Sequence, residues 1–113
     1  DLAGANYFYI APVIGSVGAF MFGSNTVSNI MFAPLQFATA DILSIPHIVI
    51  VALQNQGGAI GNMVCINNHV AACATIGTTG REGKLIKINT IPMIVYTLMT
   101  VAVIWCVMTF GWY

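Results

Sequence analysis

The sequence predicts an all-α integral membrane protein, and three observations carry that reading. Only 5% of its 113 residues are charged and 58% are hydrophobic, against roughly 25% and 45–50% in soluble domains. Mean hydropathy is +0.89. The three basic residues (Arg81, Lys84, Lys87) and three acidic ones (Asp1, Asp41, Glu82) leave residues 2–40, 42–80 and 88–113 without a charge. A net charge of zero gives no basis for nucleic-acid binding, so the expected surroundings are a lipid bilayer. The chain begins with Asp rather than Met and has no basic flank of a signal peptide, as expected of a piece of a longer protein. Cys65, Cys73 and Cys106 all sit inside apolar runs and give no disulfide framework.

A crossing takes about 20 apolar residues, so the third block is one crossing and each of the first two is more than one but barely two. Residues 1–40 read as a re-entrant helical hairpin. A limb from Leu2 to Phe22 meets the polar run Gly23, Ser24, Asn25, Thr26 and resumes at Val27, and the returning limb to Ala40 is short for a crossing, at about 21 Å. Ala11, Gly15 and Ala19 recur every four residues and mark a face for close helix packing. Residues 46–76 read as a broken transmembrane helix, opened by Pro46, loosened by Gly57, Gly58 and Gly61, and resumed from Asn62. Residues 81–90 gather every basic residue and read as a cytoplasmic interfacial segment by the positive-inside bias. Residues 91–113 form the last transmembrane helix, opened by Pro92 and closed by Trp112 and Tyr113, aromatics suited to the opposite interface. His47 then lies at the outer end of its helix, with Asp41 on the same side.

The polar residues concentrate at the two breaks, and polar groups in hydrocarbon cost several kcal/mol each unless satisfied. Where a helix stops and another starts, free carbonyls and free N–H groups lie side by side, able to face a cation and an anion. The candidate binding residues are Gly23, Ser24, Asn25 and Thr26 at the first break and Asn55, Gly57, Gly58, Gly61 and Asn62 at the second. The alternative is structural: Ser24 or Asn25 caps a helix, and Gly57 with Gly61 is a packing motif. His69 shares a helix face with Cys65 and Cys73; without a fourth ligand this is no metal site, and His69 is instead a candidate for handling a proton. No Ser/His or paired-Asp arrangement supports catalysis, so neither an enzyme nor a cofactor is expected.

Several motifs in order carry a resemblance. Gly18-Ala-Phe-Met-Phe-Gly-Ser-Asn-Thr-Val-Ser-Asn29, Val51-Ala-Leu-Gln-Asn-Gln-Gly-Gly-Ala-Ile-Gly-Asn-Met-Val-Cys65, Val70-Ala-Ala-Cys-Ala-Thr75 and Gly80-Arg-Glu-Gly83 together resemble the C-terminal part of the L-lactate permease family. The resemblance implies a C-terminal fragment of an inverted-repeat secondary transporter of the ion transporter superfamily. It also implies multi-pass insertion in the bacterial inner membrane and proton-coupled uptake of lactate or glycolate. Ser24, Asn25 and Thr26 match that superfamily's hairpin signature and Gly57 to Asn62 its unwound stretch; the rest of the site would come from the N-terminal part of the same transporter. Sodium coupling stays open, because the superfamily includes sodium-coupled carriers, and so does a structural or assembly subunit of a membrane complex.

Overall fold

Five helices follow one another in the computed structural model, which describes residues 2–111: α1 (Leu2–Phe22), α2 (Asn25–Leu43), α3 (His47–Asn62), α4 (Ile66–Thr75) and α5 (Glu82–Phe110). Among the described residues there is no strand. Gly23 closes α1 in the left-handed region (φ 71°), its N–H donating to the Ala19 carbonyl at 2.9 Å. Ser24 is extended and opens α2 two residues after α1 stops. α2 continues through Asp41 to Leu43, beyond the expected end at Ala40, because nothing breaks it before Ser44, which ends it at φ 53°. At 19 residues it measures about 28 Å, so length alone no longer separates a re-entrant hairpin from two crossings. The turn to α3 is tied by His47, whose Nε2 lies 2.6 Å from Asp41 Oδ1 while its ring stacks on Phe37 at 4.1 Å.

The second break is displaced from its expected place. Gly57, Gly58 and Gly61 lie inside α3, and the chain leaves helix only at residues 63–65, bending by 45° into α4. The glycines stay helical because they let α1 come close. A Cβ on Gly57 would fall 1.9 Å from the Pro12 carbonyl oxygen and one on Gly61 2.0 Å from that of Ser16; on the facing helix, a Cβ on Gly15 would fall 2.2 Å from the Gln54 carbonyl oxygen. The stripe of Ala11, Gly15 and Ala19 therefore packs on the glycine face of α3, with Ala11 and Ala19 fully buried. Phe8, Ala11, Ala40, Ile50 and Ile104 form the apolar core around this contact.

The interfacial segment and the last crossing are one helix, not two. α5 runs 29 residues, about 44 Å, with Pro92 inside it. Glu82, Lys84, Leu85 and Lys87 are good helix formers, and Gly83 sits in the first turn. A proline lacking its own N–H removes one hydrogen bond without stopping the helix. That length exceeds a hydrocarbon layer of about 30 Å by enough to include the turns that carry Lys84 and Lys87. Trp112 and Tyr113 lie outside the described residues. Ile91, Leu98, Val103, Trp105 and Phe110 are all more than half exposed on α5, a surface suited to lipid or to further protein and not to water. By length and apolarity, α5 and residues 4–22 of α1 can each cross a membrane, and α3 with α4 can form one bent span.

Candidate functional site

Local chemistry builds the hairpin tip. Ser24 Oγ accepts from the Val27 N–H at 3.3 Å and the Ser24 carbonyl accepts from the Ser28 N–H at 3.0 Å, so Ser24 is the cap of α2. Asn25 and Thr26 occupy the first two helical positions, where backbone N–H groups have no partner within the helix. The positive end of the α2 dipole is therefore presented at the tip with two free donors.

Side chains from α2 and α3 converge beside it. Asn25 Nδ2 and Asn29 Nδ2 both donate to Asn55 Oδ1, at 3.0 and 2.7 Å. The amide oxygens of Asn25 and Asn29 are buried and have no hydrogen-bond partner. Gly58 shares the Asn55 face of α3, and a Cβ there would fall 1.9 Å from Asn25 Oδ1. One cluster thus unites Gly23, Ser24, Asn25, Thr26, Asn55 and Gly58. Gly57 and Gly61 are not brought into it; they face α1. Asn62 lies at the second break, where its Oδ1 accepts from Asn68 Nδ2 at 2.8 Å.

Beneath the cluster runs a buried polar chain. Tyr7 OH donates to Gln36 Oε1 (2.6 Å), and Gln36 Nε2 donates to Gln54 Oε1 (2.9 Å) and to the Ala11 carbonyl (3.2 Å). Gln54 Nε2 donates to Ser28 Oγ (3.2 Å), which donates to the Gly15 carbonyl (2.9 Å). The chain fixes α1, α2 and α3 relative to one another, since each buried amide would lose its partner if a helix moved. The sequence places Ser28 and Asn29 just beyond the first polar cluster, but Gln36 and Tyr7 were missed. The available signal was the spacing of Asn25, Ser28, Asn29 and Gln36, which follows one helical face through an otherwise apolar segment.

His69 is buried on α4, 6% exposed, with Nδ1 2.7 Å from the Cys65 carbonyl and Nε2 2.8 Å from Asn89 Nδ2 of α5. Among the described residues no three His, Cys, Asp or Glu side chains are grouped to hold a metal ion.

Helices that break beside polar clusters, within an apolar and mostly lipid-suited exterior, define an α-helical membrane protein with polar side chains gathered between its helices. The chain belongs to the L-lactate permease family, whose sequence model matches residues 1–110. It is 42% identical over 99 residues to a putative L-lactate permease of Haemophilus influenzae, covering 88% of this chain and 19% of that protein. It is 33% identical over 109 residues to an L-lactate permease of Bacillus subtilis (96% of this chain, 18% of that protein). A glycolate permease of Escherichia coli is 34% identical over 84 residues (74% of this chain, 15% of that protein). These relatives are permeases and not enzymes, and the chain spans about a fifth of their length or less. No solved structure matches it.

Proposed function

We propose that the chain is the C-terminal part of a secondary active transporter of the bacterial inner membrane that takes up lactate or glycolate with a proton. The observation that carries this reading is the meeting of Asn25, Asn29 and Asn55 at a helix N-terminus. The free Asn25 and Thr26 N–H groups and the dipole behind them suit a carboxylate without any arginine. The two unpartnered amide oxygens suit a donor, such as a 2-hydroxyl group, or a hard cation. In this reading the tip lies within the membrane as a re-entrant hairpin, an inverted repeat in the rest of the transporter supplies the opposite wall, and His69 handles the proton.

The amide oxygens also favour a second reading, sodium coupling, so the test varies the ion. Full-length carrier in proteoliposomes is expected to accumulate labelled lactate under an inward proton gradient and not under an equal sodium gradient. Accumulation driven by sodium alone establishes the second reading. No uptake under either gradient sinks the carrier reading and leaves a structural subunit.

A further inference from the structure

We infer that Asn89 is a positioning residue that lets His69 gain and lose a proton without losing a hydrogen bond. This rests on the transport reading and assigns a role to a residue outside the hairpin tip. A carbonyl oxygen only accepts, so the contact to Cys65 at 2.7 Å fixes the hydrogen on His69 Nδ1. Nε2 is then the ring nitrogen without a hydrogen in the neutral ring, where it accepts from Asn89 Nδ2 at 2.8 Å. When Nε2 is protonated, a half-turn of the Asn89 amide presents Oδ1 and the contact persists with its direction reversed. An aspartate in that place would favour the charged ring, and an apolar side chain would leave either state unpartnered in a buried position. A primary amide serves both states.

The pair is placed where a change of charge reaches the proposed site. Cys65, whose carbonyl holds His69, is the last residue of the second break and the cap of α4. A Cβ on Gly23 would lie 3.3 Å from Cys65 Sγ and 3.2 Å from Asn67 Cβ, so the break packs directly on the hairpin tip. Contact therefore runs from Asn89 through His69 and Cys65 to Gly23, across α5, α4 and α1. Few other groups compete for the proton. The titratable neighbours are Cys65 at the cap of α4 and Cys73 on it; on α5 they are Glu82, seven residues or about 10 Å before Asn89, and Lys84 and Lys87 on the exposed side, with Arg81 at its cap; the hairpin tip contributes none.

The test measures lactate uptake by the full-length carrier against pH, held equal inside and outside, for wild type and for Asn89→Gln, Asn89→Leu and Asn89→Asp. Gln, which keeps the amide, is expected to keep the wild-type midpoint. Leu, of similar volume but unable to pair with the charged ring, moves it to lower pH. Asp moves it to higher pH, since an opposite charge within about 4–6 Å favours the protonated ring. Lactate-for-lactate exchange, which moves no net proton, stays near wild type in all three and reports folding. Midpoints unchanged in both Leu and Asp, a Gln midpoint displaced as far as that of Leu, or exchange lost in every variant overturns the inference. Absence of uptake by wild type overturns the transport reading instead.

Discussion

Gly57→Ala in the full-length carrier is expected to lower the melting temperature sharply in detergent and to reduce the amount of folded protein in the membrane. The added Cβ would lie 1.9 Å from the Pro12 carbonyl oxygen and 2.5 Å from its carbon, and both atoms are backbone inside α1. No rotamer change can relieve such a contact, so α1 and α3 must separate along their shared face. Overpacking costs about 1–3 kcal/mol where side chains can yield, and a backbone collision belongs at the upper end or beyond. Separation would also stretch the Gln36–Gln54–Ser28 chain, because its carbonyl acceptors at Ala11 and Gly15 lie on α1. Gly83→Ala is the control: it meets nothing within 4 Å in the first turn of α5 and is expected to be silent. Equal melting temperatures for the two variants would show that the close approach of α1 to α3 is not structural.

Asn25→Ala is expected to weaken apparent lactate affinity roughly 2- to 13-fold, the equivalent of about 0.5–1.5 kcal/mol for the lost side-chain bond to the 2-hydroxyl, because the backbone N–H groups proposed to hold the carboxylate remain. The variant separates binding from folding cleanly. The cap of α2 is Ser24, which Asn25→Ala leaves in place, so protein level and insertion should stay near normal. Its Nδ2 donates to Asn55 Oδ1, which keeps a second donor in Asn29 at 2.7 Å. Thr109→Ala removes only a hydroxyl bonded to its own helix at Trp105 and should be nearly silent. Uptake by Asn25→Ala with unchanged half-saturation and rate would reduce the tip to a helix junction.

Local chemistry was legible in the sequence, and contact at long range was not. Gly23 and Ser24 mark the first break because a left-handed glycine and a capping serine act on their immediate neighbours. Pro46 marks the start of α3 for the same kind of reason. Gly57, Gly58 and Gly61 illustrate the limit. A glycine cluster in an apolar helix reads the same whether it unwinds the backbone or admits a neighbour, and the deciding partners, Pro12 and Ser16, stand some 45 residues away along the chain. Pro92 misled in a similar way, since a proline that can open a helix can also sit within one. At the candidate site, Asn25 and Asn55 were legible as polar residues in charge-free blocks. Their convergence depends on how α2 packs against α3, as the Gln36–Gln54 contact does. Asn89 gave no local signal, because its meaning comes only from His69 on another helix.

The central claim is that substrate sits at the α1–α2 tip, and alkylation of a single cysteine there tests it most directly. Thr26 is exposed and contributes a free backbone N–H, and a cysteine side chain in its place leaves that N–H intact. In a full-length carrier otherwise free of reactive cysteines, with exposed Cys106 replaced by Ser, a maleimide should label Thr26→Cys. Saturating lactate or glycolate should slow that labelling several-fold, while a non-substrate such as chloride at equal ionic strength should not. Labelling at the same rate with and without lactate, in a variant that still transports it, would contradict the account.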